Sequence, residues 1–131
     1  MKYLLDTVIF LWNLHSPEKL NNKAQQLLAS QHDEIFFSAV SSWEVVIKYA
    51  RGKLMMPQPP WQILPEAITR FGALALPITH AHTLAVGQLP AHHSDPFDRM
   101  LIAQAQTEKM VLMTAEKLIE KYPVETFWCG K

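Results

Sequence analysis

The sequence has little of the chemistry on which several classes of protein depend. A single cysteine, Cys129, excludes an intrachain disulfide and a cysteine-rich zinc site, and it is typical of a reducing cytoplasm. No apolar run approaches the roughly 20 residues that span a bilayer, so we expect no membrane segment. The four glycines form no glycine-rich phosphate loop, which excludes the common nucleotide-hydrolase motifs.

An excess of charge of either sign is also lacking, because 12 basic residues balance 12 acidic residues. A neutral chain gives no sign of a broad basic surface for nucleic acid. Any contact with a polyanion is therefore expected to be local or to be mediated by a metal ion.

Short apolar segments and helical patterns alternate along the 131 residues, 49% of which are hydrophobic. This length and composition predict one globular domain over residues 1–131. We predict strands at 2–6, 34–38, 73–78, 110–114 and 125–128. We predict helices at 7–14, 16–30, 39–52, 59–72, 79–89, 96–106 and 115–122, with Thr7 and Ser16 as N-caps and a bend or break at Pro65. Such alternation favours an α/β sandwich around a mainly parallel sheet.

Four acidic residues are expected to converge at one edge of that sheet. Asp6 and Glu116 follow two of the predicted strands, and ligands of open parallel sheets bind beyond the carboxyl ends of the strands. Asp98 and Glu44 lie on predicted helices. Asp98 begins an apolar stripe, whose other members are Leu101, Ile102 and Ala105. Glu44 borders the stripe predicted for its own helix, which consists of Val40, Trp43, Ile47 and Ala50.

Each acid also has an ordinary structural explanation. Asp6 can cap the first helix, and Glu44 can pair with Lys48 one helical turn later. Asp98 and Glu116 can each compensate the N-terminus of a helix. Two carboxylates about 4 Å apart repel each other by roughly 4 kcal/mol at an effective dielectric constant of about 20. Four acids that converge therefore need protons or divalent cations.

Four segments, in this order along the chain, resemble one family when they are taken together. They are YLLDT at 3–7, SAVSSWEVVIKYARGKL at 38–54, DPFDRMLIAQA at 95–105 and LMTAEKLIEKY at 112–122. The combination resembles the PIN-domain ribonucleases, specifically the VapC-type toxins of bacterial type II toxin–antitoxin pairs. The resemblance implies a PIN-like three-layer α/β/α sandwich with a central, mainly parallel sheet of four to five short strands.

The resemblance also implies a catalytic site in which acids bind a metal ion. Its residues here are Asp6, Glu44, Asp98 and Glu116, of which Glu116 replaces a common aspartate. The implied cofactor is Mg²⁺ or Mn²⁺, with Asp6 and Asp98 as direct ligands and Glu116 as a second-site or outer-shell ligand. Glu44 is expected to bind the metal directly or through water, or to position the attacking water. The implied reaction is metal-dependent hydrolysis of phosphodiester bonds in RNA, either transfer RNA or another cellular RNA.

Hydroxyl groups and a further aspartate are expected to support the acids. Thr7, Ser38 and Thr114 match small hydroxyl positions of the family, which orient carboxylates or waters. Asp95 is predicted to be the N-cap of the last long helix, where its carboxylate accepts from the backbone N–H of Asp98. We therefore predict two roles, in which Asp95 fixes the start of the helix and Asp98 meets the metal.

Basic and aromatic residues near the acids have less specific patterns. Lys48, Arg51 and Lys53 are either a local phosphate clamp or a solvated helix face whose charge suits the helix C-terminus, and both interpretations stay open. The histidines show no metal-binding spacing. The pair His92 and His93, just before the acidic motif, can contact RNA, but loop histidines are usually solvated.

Partners follow from the resemblance alone. It implies a cognate VapB-type antitoxin whose tail lies in the active-site groove, a homodimer, and a cytoplasmic location. The alternative is a catalytically weak PIN-like module that binds RNA or protein. The presence of an acid at all four positions argues against that alternative.

Overall fold

Five parallel strands form the centre of the fold. The computed structural model describes residues 1–30 and 33–131. The strands are β1 Lys2–Leu5, β2 Glu34–Ser38, β3 Leu74–Leu76, β4 Val111–Thr114 and β5 Thr126–Trp128. Their order across the sheet is β3-β2-β1-β4-β5, and every neighbouring pair is parallel. The predicted sheet of four to five mainly parallel strands is confirmed, with five.

Six α-helices flank this sheet within the described residues. They are α1 Thr7–His15, α2 Asn22–Ala29, α3 Ala39–Ala50, α4 Pro60–Phe71, α5 His80–Val86 and α6 Pro96–Glu108. None of them is long and apolar enough to cross a bilayer.

Side chains that alternate along β1 divide the core into two layers of packing. Leu5 packs into a cluster that includes Ile9 of α1 and Leu64 of α4. Leu4 packs into a second cluster with Leu101 of α6, among other residues. Helices therefore cover both faces of the sheet, and the three-layer architecture is confirmed.

The position of β1 in the sheet determines which residues meet at its carboxyl edge. Leu4 pairs with Phe36 on one side, and Leu5 pairs with Met113 on the other. The backbone N–H of Asp6 donates to the carbonyl of Met113 at 2.9 Å. Asp6 and the end of β4 are therefore held side by side, although they are far apart in the chain.

The helix predicted at 16–30 is divided into two parts. A 3₁₀ turn covers Pro17–Lys19, and α2 begins only at Asn22. Leu20 between them is fully buried and pairs with Gly130. Asn21, rather than Ser16, is the effective N-cap, because its side chain accepts from the backbone N–H of Ala24. These contacts with the end of the chain outweigh the local helical pattern.

Two further helical predictions need correction. Residues 115–122 form only a 3₁₀ turn over Lys117–Lys121, which ends before Pro123, where the following ring disfavours α-helical backbone. Helix α4 runs through Pro65 without division. Pro60 occupies its first turn, and Gly72 ends it in the left-handed conformation at φ 77°.

Candidate active site

The four predicted acids line one cleft at the carboxyl edge of the sheet. Its volume is about 460 Å³. The charged residues in its lining are Asp6, Glu44, Lys48, Lys53, His93, Asp95, Asp98 and Glu116. We call this region the acidic cleft. The ends of β1 and β4, the middle of α3 and the start of α6 thus bring together acids from four separate parts of the sequence.

Asp6 is the most deeply buried of these acids, with 3% of its surface exposed. It stands at the N-cap position of α1, yet its side chain makes no capping hydrogen bond. Its Oδ2 accepts instead from the hydroxyl of Thr114, at 2.8 Å. The expectation that Thr7 is the N-cap is wrong, since Thr7 is already the first residue of the helix.

The charge of Asp6 is disfavoured in the metal-free protein. Burial, the negative charge of Asp98 and that of Glu44 raise the pKa of Asp6 from 3.8 to about 7, although the hydrogen bond from Thr114 acts to lower it. A group in this state gains free energy from any cation that compensates its charge.

Asp98 lies in the first turn of α6, and 15% of its side chain is exposed. Its Oδ2 is 2.7 Å from Nε2 of His93. Burial, with the charges of Asp95 and Glu44, raises the pKa of Asp98 from 3.8 to about 6, while the contact with His93 opposes this shift. The residues that follow it on the predicted stripe are buried in the core: Leu101, Ile102 and Ala105.

Asp95 begins α6 as predicted. Its Oδ1 accepts from the backbone N–H of Phe97 at 2.8 Å and from that of Asp98 at 3.0 Å. These bonds satisfy two donors that the first turn of a helix leaves unpaired. Asp95 also lines the acidic cleft.

Glu44 is buried on α3, with 5% of its surface exposed. Its Oε2 contacts Nζ of Lys48 at 2.5 Å, so the pairing expected one turn apart is present. Its Oε1 is a buried atom for which the described part of the chain provides no hydrogen-bond partner. Burial without a partner is costly for a polar atom, which makes this oxygen a candidate for an external ligand.

The inward face of α3 differs from the predicted stripe. The buried residues are Val40, Ser41, Glu44 and Val45, whereas Trp43 is 58% exposed. Burial of the polar members is possible because they have partners. The hydroxyl of Thr7 donates to Ser41 at 2.8 Å, and Lys48 pairs with Glu44. Hydrophobicity alone therefore misplaced this face.

Glu116 lies in the cleft and also caps the 3₁₀ turn at Lys117–Lys121. Its Oε1 accepts from the backbone N–H of Leu118 at 3.1 Å. Its own N–H donates to the hydroxyl of Thr114 at 3.0 Å. Thr114, the last residue of β4, thus contacts both the backbone of Glu116 and the carboxylate of Asp6.

The other two predicted hydroxyl supports have different partners. Thr7 donates to Ser41, and Ser38 donates to the buried amide oxygen of Gln104 at 2.6 Å. Ser38 also caps α3 by accepting from the backbone N–H of Val40. These contacts join helices within the core, and the expectation that the two hydroxyls orient carboxylates or waters of the site stays a prediction.

The predicted phosphate clamp is only partly assembled. Lys48 and Lys53 line the acidic cleft, but Arg51 is exposed at the end of α3 and is outside its described lining. Burial acts to lower the pKa of Lys48, but the hydrogen bond to Glu44 and the surrounding acids raise it. Lys48 therefore stays charged beside the acids.

Comparison with known sequences identifies the family. The family model described as PIN domain matches residues 3–125, a range that includes all four acids. The chain belongs to the PIN domain family.

Named relatives and solved structures agree with this assignment. This PIN domain is 36% identical over 62 residues to Ribonuclease VapC16 of Mycobacterium tuberculosis (strain ATCC 25618 / H37Rv). The matched region is 47% of this chain and 44% of that protein, so it spans less than half of the relative's length.

One chain in each of two solved complexes shares the fold over nearly its whole length. VapBC2 from Rickettsia felis, bound to a DNA fragment from its promoter, has a TM-score of 0.75 at 18% identity and covers 98% of this chain and 99% of that chain. DNA-bound VapBC from Salmonella typhimurium has a TM-score of 0.70 at 19% identity, with 97% coverage of both chains. These likenesses confirm the predicted PIN fold.

The donor chemistry of the PIN domain's cleft fits a hard divalent cation. Carboxylate oxygens are the ligands that Mg²⁺ and Mn²⁺ prefer, and Glu44 has a buried oxygen without a partner. Among the described residues, however, no group of three or more His, Cys, Asp or Glu side chains forms a ready-made metal site.

Sequence reasoning missed His93 as a residue of this site. The imidazole is not solvated but is 13% exposed and in contact with Asp98. The only local signal was its place two residues before the N-cap of α6, where a loop must fold back over the helix start. Its main-chain anchor, Tyr122, lies 29 residues away and has no local signal.

Proposed function

We propose that this PIN domain is a metal-dependent endoribonuclease that acts as the toxin of a type II toxin–antitoxin pair. The observation that carries the proposal is the convergence of Asp6, Glu44, Asp98 and Glu116 in one cleft, where a buried oxygen of Glu44 has no hydrogen-bond partner among the described residues. The printed name of the relative, Ribonuclease VapC16, supports RNA as the substrate class.

The proposed ligands differ in their roles. Asp6 and Asp98 would hold Mg²⁺ or Mn²⁺ directly, Glu44 would bind it or position the attacking water, and Glu116 would act from the outer shell. When bound, the cation supplies Lewis-acid polarisation of the phosphate and a water of lowered pKa at neutral pH. The hydroxyl of Thr114 fixes the orientation of Asp6 by donating to its Oδ2.

Lys48 and Lys53 would hold the RNA phosphate beside the acids. Both line the acidic cleft, and an ammonium group binds phosphate as a point charge. Lys48 also neutralises Glu44 when substrate is absent. Arg51, which the sequence grouped with them, is left as a peripheral contact at most, because it lies outside the described lining of the cleft.

We also propose a cognate VapB-type antitoxin, a homodimer and a cytoplasmic location, with residues 1–131 acting as one domain. The solved neighbours support the antitoxin, because they are described as VapBC complexes.

Asp6→Asn and Asp98→Asn test the catalytic proposal. Purified wild type should cleave RNA only with Mg²⁺ or Mn²⁺. Each variant should lose more activity than the ~10–100-fold typical of an outer-shell partner, because it removes a charged ligand. Gel analysis of RNA products gives the rates. Glu66→Gln is the control, since this acid is 75% exposed and pairs with Arg70 on α4, outside the cleft.

The competing function is a PIN-like module that binds without cleavage. The capping role of Glu116 is the observation that favours it, because that carboxylate already has a structural task. RNA binding by wild type, with no cleavage in either metal, would support this second function. Cleavage that Asp6→Asn and Asp98→Asn leave intact would show that the acidic cleft is not the active site.

A further inference from the structure

A histidine outside the four acids is in direct contact with one of them. His93 Nε2 lies 2.7 Å from Asp98 Oδ2, and the two side chains are 13% and 15% exposed. His93 lines the acidic cleft and also an adjoining pocket, whose lining includes Ser94 and Leu118. The imidazole thus forms part of the wall between the cleft and the surface beside it.

The main chain of His93 is fixed by a residue from another part of the fold. Its backbone N–H donates to the phenol oxygen of Tyr122 at 2.8 Å, and the N–H of His92 donates to the same oxygen at 3.1 Å. Tyr122 is itself buried, with 4% exposure, at the end of the 3₁₀ turn that follows Glu116. A buried phenol is a rigid anchor for a loop.

Arg99 ties the same loop to the helix that carries Asp98. Its guanidinium donates to the carbonyl oxygens of Pro90 at 2.9 Å and His93 at 3.3 Å, and to the phenol oxygen of Tyr122 at 3.2 Å. It also donates to carbonyls at the end of α5 and just beyond. Asp98 and Arg99 both lie on α6, so the same helix carries the acid and holds the loop of His93.

We propose that His93 is a positioning residue that orients Asp98 for the cation, and that Tyr122 holds His93 in place for this task. In the tautomer that carries a proton on Nε2, His93 donates to Oδ2, fixes the plane of the carboxylate and leaves Oδ1 as the oxygen that we assign to the metal. Partners of this kind act by orienting a ligand rather than by binding the metal. The inference rests on the proposed function, because it requires Asp98 to be a metal ligand.

The direct test is the affinity for Mn²⁺ alone, measured by electron paramagnetic resonance of the free ion. His93→Ala should weaken Mn²⁺ binding by ~10–100-fold, the usual effect of removing an outer-shell partner. His93→Gln should recover most of the affinity, because its amide N–H can occupy the position of the imidazole Nε2–H. His80→Ala, at an exposed histidine outside the described lining of the cleft, is the control and should stay within about twofold of wild type. His92→Ala tests the loop, because its ring packs on Tyr122 with the ring centroids 5.3 Å apart.

Tyr122→Phe tests the anchor separately from the histidine. It keeps the ring in the core and removes the oxygen that accepts from the loop and from Arg99, while the other hydrogen bonds of Arg99 to the loop remain, so we expect a smaller loss of Mn²⁺ affinity. Combined with His93→Ala it should add little, because both changes disable the same orientation of Asp98. Thermal unfolding of each variant verifies that the fold persists.

Several results would overturn the role. Equal Mn²⁺ affinity in His93→Ala and wild type would refute it while leaving the proposed function intact. An equal loss in His92→Ala would attribute the effect to the loop rather than to the imidazole. A failure of His93→Gln to recover affinity would refute the hydrogen-bond argument. The proposed metal site itself is refuted if wild type binds no Mn²⁺, or if Asp98→Asn binds Mn²⁺ as wild type does. The role of His93 is then refuted with it.

Discussion

At the scale of single residues, the acidic cleft combines burial with uncompensated charge. Asp6 is held between Asp98 and Glu44 and receives a hydrogen bond only from Thr114 among its described side-chain partners. An arrangement of this kind stabilises the fold poorly in the absence of a cation. Sites whose ligand supplies the compensating charge commonly have this low stability without the ligand.

Asp6→Asn should therefore stabilise the metal-free protein at neutral and alkaline pH. The pKa of Asp6 is about 7 in the folded state, whereas the ordinary pKa of this group is 3.8, so the folded state binds the extra proton between these pH values. Its contribution to the free energy of unfolding falls as pH rises through that window. The variant should exceed wild type by about 1–4 kcal/mol at pH 8, given 1.36 kcal/mol per pKa unit, and match it near pH 4.

Urea unfolding of the metal-free proteins between pH 4 and 8 measures this difference. A gain that does not change with pH would contradict the electrostatic explanation. Added Mn²⁺ should raise the melting temperature of wild type, and should do so much less for Asp6→Asn, because only a ligand that binds the folded state stabilises it.

At the scale of elements, the start of α6 separates two aspartates with different tasks. Asp95→Ser should retain the N-cap and most of the RNA cleavage, because serine is as good a cap as aspartate. Asp95→Ala should lower the free energy of unfolding by about 1 kcal/mol. Asp98→Asn should abolish cleavage with little loss of stability. Cleavage assays and urea unfolding on the same samples distinguish the two roles. If Asp95→Ser loses as much cleavage as Asp98→Asn, Asp95 also binds the cation.

Elements with strong local signals could be predicted from the sequence. The buried strands and the cap of α6 are examples, since Asp95 and the proline after it sit where a helix start requires them. Elements set by distant contacts could not. The break before α2 exists because Leu20 pairs with Gly130, and no local pattern encodes a partner 110 positions away.

The same contrast applies to the cleft. The positions of the four acids could be predicted, because each lies near the end of a strand or on a helix whose faces follow from the helical period. The inward rotation of Glu44 depends on Lys48 and on the Thr7–Ser41 hydrogen bond, which a hydrophobic stripe does not reveal. His93 was misinterpreted because Tyr122, its anchor, belongs to a different part of the chain.

At the scale of the whole molecule, the balance of 12 basic and 12 acidic residues limits how RNA can be held. If Lys48 and Lys53 are the main phosphate contacts, about two charges are neutralised. The logarithm of the binding constant for single-stranded RNA should then fall with the logarithm of salt with a slope of about −1.4, from ~0.7 per phosphate contact.

Fluorescence anisotropy with the Asp6→Asn variant, over a range of KCl concentrations, measures this slope without cleavage. Lys53→Gln in the same background should make the slope shallower by ~0.7. A slope steeper than about −3 would show that the RNA contacts a basic surface beyond the cleft, in which Arg51 would be the first candidate.

The central place of β1 also determines when the cleft can exist during synthesis. Asp6 is translated 108 positions before Thr114, which orients it. At ribosomal speeds of ~5–20 residues per second, that interval lasts about 5–20 s. Since β1 must pair with β4 before the acids meet, the nascent chain carries a dispersed set of carboxylates throughout. In this topology the cleft can therefore assemble only after β4 has left the ribosome.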